Sequence, residues 1–157
     1  MTRILCLLSL ALAGFAPSLW AAETPYDFVK CATGKITPLE ISADLRAAGM
    51  ENWGITASST TKDFENATTH CVGFSRVVEG KPAGRGLCKW MDSAGNTAFG
   101  EYEVLAPGEG TFVWVTGTGK FKGIKGGGQW KVFSSAKPVA EGTAQWCERY
   151  WGKYTLP

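Results

Sequence analysis

The stretch Gly110 to Trp130 reads GTFVWVTGTGKFKGIKGGGQW. An apolar, β-favouring run from Thr111 to Thr116 enters a glycine-dense corner, and a second strand leaves it. Gly117, Gly119, Gly123 and Gly126 to Gly128 admit close backbone approaches and positive φ values that side chains forbid. Phe121 and Ile124 are the apolar anchors inside the corner, placed to plug one end of a barrel. The corner is no phosphate cradle. Gly117-Thr118-Gly119-Lys120 lacks the P-loop spacing and its Lys-Ser/Thr ending, and the glycine-spaced dinucleotide fingerprint is absent.

Outward from the corner, turn residues punctuate β-patterned runs. Upstream lie Cys71 to Val78, Arg85 to Met91 and Thr97 to Leu105, separated by Glu79 to Gly84 and Asp92 to Asn96, with Ala106 to Gly110 leading into the corner strand. Downstream come Gln129 to Phe133 and Gly142 to Trp151. The start of the chain adds strands at Tyr26 to Cys31 and Trp53 to Ser58. Between them Thr37 can cap and Pro38 can open a short helix ended by Gly49, although Ile41 to Leu45 also alternates. Ser58 to Asn66 reads as a polar loop over one end, with Phe64 its one large apolar anchor. The sum is an all-β chain of seven or eight strands with short connections. Closure into an antiparallel barrel of about eight strands hides every edge, and a β-sandwich is the alternative.

The run Gly117 to Gly126, GTGKFKGIKG, resembles the glycine corner of the dirigent and allene oxide cyclase-like barrels, and the likeness extends from about Thr97 to Phe133. The resemblance implies a small, mainly antiparallel eight-stranded barrel with a central cavity, often oligomeric. It implies a fold, and it carries neither family's catalytic residues onto this chain.

The first residues read as an export signal. Arg3 precedes an apolar run from Ile4 to Ala16, and Leu19-Trp20-Ala21-Ala22 leads into polar sequence at Glu23. Residues 1–22 are therefore expected to be a signal peptide, with one domain over 23–157, exported to the periplasm or the medium. The leader removes Cys6 and leaves Cys31, Cys71, Cys88 and Cys147, an even set suited to an oxidising compartment. Cys71 and Cys88 are symmetric about the turn near Gly80, so an antiparallel hairpin sets them opposite each other. Cys31 and Cys147 lie near the two ends of the mature chain, and joining them ties the first strand to the last. A metal held by His70 and the cysteines is the competing use, but no Cys-x-x-Cys or His-x-x-x-His pair occurs. We expect no metal and no cofactor.

The whole chain carries 16 basic and 14 acidic residues, a balance that gives no reason to expect nucleic acid as a partner. No later apolar stretch is long enough for a transmembrane helix. Six of its seven tryptophans lie beyond the leader, more than so small a core requires. Phe112 and Trp114 share one strand face, while Trp146, Glu148 and Tyr150 alternate against Cys147, Arg149 and Trp151. Trp90, Phe112, Trp114 and Trp146 are the candidate walls of an apolar pocket, with Arg149 or Arg85 at its mouth to meet an acidic group. His70, the one histidine, and Glu101, paired on its face with Glu103, are the candidate proton handlers. No triad or nucleophile motif marks a reaction. The first reading is an exported, non-enzymatic barrel binding a small apolar or aromatic ligand, as a candidate homo-oligomer. The alternatives are a cavity isomerase or cyclase using His70 or Glu101, and a structural or partner-binding protein with a filled core.

Overall fold

Eight strands follow one another around a closed antiparallel barrel, each paired with its sequence neighbours and the last with the first. They are β1 (Thr24–Glu40), β2 (Leu45–Ser59), β3 (Thr68–Val78), β4 (Lys81–Met91), β5 (Thr97–Ala106), β6 (Glu109–Gly117), β7 (Lys125–Ala136) and β8 (Thr143–Thr155). The computed structural model describes residues 22–40, 42 and 45–157. The expected signal peptide falls almost wholly outside these residues.

Local sequence chemistry sets the register. Val78 pairs with Lys81 across the two-residue turn Glu79-Gly80, and both turn residues have positive φ, at 49° and 76°. That is the turn geometry whose twist matches a hairpin, and Gly80 adopts it without strain. It places Cys71 opposite Cys88, and the two are joined. Cys31 pairs with Cys147 across the β1–β8 seam, and they form the second disulfide. Both pairings are the expected ones. Ala106-Pro107-Gly108-Glu109 closes the β5–β6 hairpin, with Gly108 at a φ of 72° behind a proline.

One expected element differs. The helix proposed after Thr37 is strand, because β1 continues to Glu40 and β2 begins at Leu45, with Pro38 opposite Ala48. Pairing between β1 and β2 wins over the cap signals, and Ile41, Ala43 and Asp44 of the expected helix lie outside the described residues. Pro38 is tolerated because β8 pairs with β1 only as far as Lys35, which leaves that edge of β1 open.

The interior divides along the barrel axis. At one end a 3₁₀ turn, Lys62–Phe64, and a second, Gly119–Phe121, fold over the opening. Phe64, Phe121 and Ile124 are fully buried there. Phe64 stacks on Trp114 at 4.9 Å and on Phe121 at 5.4 Å, and Trp90 and Phe112 complete the ring cluster. Lys120 bridges Asp63 and Asp92 at 3.0 and 3.1 Å and straps the two turns to the β4–β5 connection. The other end, toward the β3–β4 and β5–β6 turns, is left open.

Candidate functional site

The open half of the barrel contains a cavity of about 310 Å³, at the lower end of the roughly 300–1,000 Å³ typical of small-molecule sites. Its apolar walls include Met50, Val104, Trp130, Val132 and Trp146, and its floor is polar. Strand alternation supplies both. Tyr26, Phe28 and Lys30 are among the inward residues of β1, and Trp146, Glu148 and Tyr150 are inward on β8. Lys30 pairs in register with Glu148, one position from the Cys31–Cys147 disulfide, which lies on the other side of the sheet.

Lys30 is 1% exposed. Its ammonium donates to Glu148 Oε1 at 2.7 Å and to Asn52 Oδ1 at 3.3 Å, with Cys71 Sγ at 3.6 Å. The Tyr150 hydroxyl donates to the same carboxylate oxygen at 3.1 Å. Burial, reinforced by the Glu148 charge, pushes the Tyr150 hydroxyl well above its ordinary range, so it stays a neutral donor. Tyr102 stands in the same cavity and is raised to about 12, by burial first and by Glu148 second. Its ring is seated against Gly73 and Gly86: a Cβ on Gly73 would lie 2.1 Å from the Tyr102 hydroxyl oxygen. That hydroxyl is buried and has no hydrogen-bond partner. Orphaned donors also occur in the filled half, at Tyr26, Trp90 and Trp114, but none of those lines the cavity. The inner disulfide, Cys71–Cys88, completes the floor.

The expected site residues separate into three groups. Trp146 lines the cavity. Trp90, Phe112 and Trp114 belong to the packed cluster at the closed end, with 0%, 1% and 3% exposure. Arg149 lies on the outer face, where its guanidinium makes a two-point contact with the Asp27 carboxylate. The proton-handler candidates lie outside the cavity as well. His70 Nε2 is 2.8 Å from Glu51 Oε1 and its ring stacks on Trp53, while Glu101 and Glu103 are exposed on the outer face of β5. All four expected disulfide cysteines are oxidised. Among the described residues no group of three or more His, Cys, Asp or Glu side chains is placed to hold a metal ion. No helix among them is long and apolar enough to cross a membrane.

The cavity residues that sequence reasoning passed over include Lys30, Asn52, Tyr102, Glu148 and Tyr150. A signal was present for two of them. Lys30 sits in step with Tyr26 and Phe28, and Glu148 lies between Trp146 and Tyr150, so each charge falls on an aromatic face.

No protein-family model matches the chain, and no curated protein matches it in sequence. Among solved structures, a pterocarpan synthase dirigent protein superposes with a TM-score of 0.52 at 13% identity, covering 92% of this chain and 99% of that one. At that identity the match speaks for the fold alone. The barrel is dirigent-like, as the glycine corner implies.

Proposed function

We propose that this protein is an exported barrel that holds a small, largely apolar or aromatic ligand in the cavity of its open half, without converting it. One observation carries the reading. The same barrel fills one end solidly with aromatic rings and leaves at the other a cavity of about 310 Å³ with tryptophan walls and a polar floor. The two disulfides and the apolar leader support export to an oxidising compartment. Lys30 and Glu148 together carry no net charge, and Arg149 is engaged on the outer face. The ligand this floor favours is therefore neutral, rather than the acid the sequence suggested. A bound anion would add an uncompensated charge beside Glu148.

Exposed Trp53, Ile55, Val72, Phe74, Leu87 and Val113 form an apolar outer face on β2, β3, β4 and β6. Glu101, Glu103, Arg85 and Lys89 lie among them, both signs on one surface, which suits self-association with a second copy.

Native mass spectrometry of protein purified from its own host tests both points. The expected result is a stoichiometric small molecule released on denaturation, from a species heavier than one chain. Val104→Trp, which fills the cavity, should then yield ligand-free protein. The reading fails if the wild-type protein arrives empty and its tryptophan fluorescence is unmoved by a panel of neutral apolar compounds.

A further inference from the structure

Lys30 is the one buried lysine among the described residues, and its place is not explained by stability. The β1–β8 seam that it spans already has a disulfide and a continuous ladder. A buried ion pair adds little to that. Well-packed apolar residues of the same size commonly do as well or better. What the pair does supply is a primary amine facing an apolar cavity, with a carboxylate in contact to take its proton. We propose that Lys30 captures apolar aldehydes as a Schiff base. The inference rests on the cavity reading above and names the ligand class for that site.

The chemistry balances within the residues present. Glu148 Oε1, 2.7 Å from Nζ, accepts one proton from the ammonium, leaving a neutral amine and a neutral acid. The amine lone pair forms a bond to the aldehyde carbon as the carbonyl π bond breaks, and a proton passes from nitrogen to oxygen to give a carbinolamine. Glu148 returns its proton to the departing hydroxyl, which leaves as water. The product is an iminium at Lys30 facing a Glu148 carboxylate. An ammonium–carboxylate pair has become an iminium–carboxylate pair, so no stage leaves a lone charge buried, which is the costly outcome in such surroundings. The partnerless Tyr102 hydroxyl, held neutral, is a donor for the carbinolamine oxygen. Neutral apolar aldehydes suit the walls. Ketones would crowd the same carbon, and acids would meet Glu148.

The test uses naphthaldehyde with sodium borohydride, and naphthalenemethanol as the matched compound that cannot form an imine. The expected result is one adduct per chain, heavier by the aldehyde less one oxygen atom, mapped by peptide analysis to Lys30. Because binding raises the effective concentration of the aldehyde at the amine, Lys30 should be labelled more than about tenfold faster than any exposed lysine. Lys30→Arg keeps the charge but offers no amine, and should lose that adduct while surface labelling is unchanged. Labelling confined to exposed lysines overturns the inference. If naphthalenemethanol quenches tryptophan fluorescence and Lys30 stays unlabelled, the lysine inference falls and the cavity reading stands. If neither compound binds, both fall.

Discussion

The two halves of this barrel interior are built from the same strands and differ in what they do with inward positions. In the closed half Phe64, Trp90, Phe112, Trp114 and Phe121 meet ring to ring, with centroids 4.7 to 5.4 Å apart across their closest pairs. Two short 3₁₀ turns deliver Phe64 and Phe121 from outside the sheet, so the strands alone do not have to fill that end. No such turn covers the open half among the described residues. There the inward set includes Lys30, Asn52 and Glu148, and space is left beside them. Packing fills one end and leaves a cavity at the other.

The largest expected effect comes from opening the closed end. Phe64→Ala removes a side chain with no exposed surface that touches five aromatic neighbours, and should cost about 3–5 kcal/mol. Val132→Ala, at a partly buried cavity wall on the edge of the core, should cost about 1 kcal/mol or less, since two methyl groups that are only partly enclosed are removed. Urea unfolding of both variants checks the contrast. Equal losses would mean that the open half is packed as tightly as the closed one, and the division would collapse.

A comparable but more diagnostic effect tests the structural worth of the ion pair at the cavity floor. Lys30→Met strands the Glu148 carboxylate and should cost about 3–5 kcal/mol, whereas Lys30→Met with Glu148→Leu should return to within about 1–2 kcal/mol of wild type. The residual cost arises because the Tyr150 hydroxyl loses its acceptor. A double variant as unstable as the single one would make the ion pair a structural necessity and remove the reason to look to it for chemistry.

How much of this was legible in the sequence follows the same division. The barrel was readable because its hairpins are marked locally: Glu79-Gly80, Pro107-Gly108 and the glycine corner each state a turn, Cys71–Cys88 follows from turn symmetry, and Cys31–Cys147 from closure of the first strand on the last. Phe121 and Ile124 as a plug were readable for the same reason, as the apolar residues of a turn that must go somewhere. The stretch after Thr37 misled, because Thr37, Pro38 and Gly49 are helix punctuation by type and only pairing of β1 with β2, itself paired with β3, makes the region strand. A cavity was expected from the resemblance, and Trp146 among its walls, but which half of the barrel holds it was not legible. An aromatic at an inward position looks identical in sequence whether rings or empty space surround it, so Trp90, Phe112 and Trp114 could not be told from Trp130 and Trp146. Lys30 and Glu148 are 118 positions apart and meet only because the barrel closes. His70 drew notice for residue type and Glu101 for sharing a strand face with Glu103, and strand parity turns both outward.

The smallest expected effect tests whether the closed end is closed by charge as well as by rings. Burial favours the neutral form of Asp92, yet hydrogen bonds from Asn96 and Lys120 outweigh it and hold the carboxyl at about 2, below its ordinary 3.8. A carboxyl depressed in the folded state stabilises fully above its unfolded value and loses that contribution as pH falls through the folded one. Wild-type stability should therefore drop on acidification from about 4 to 2 by on the order of 1 kcal/mol more than that of Asp92→Asn, after allowing for solvent screening. Chemical denaturation along that pH series reads the difference directly. Parallel curves would mean that the Asp63–Lys120–Asp92 strap adds nothing, and that Phe64 and Phe121 hold the end shut by packing alone. A steeper wild-type curve would show that the closed end is held by both.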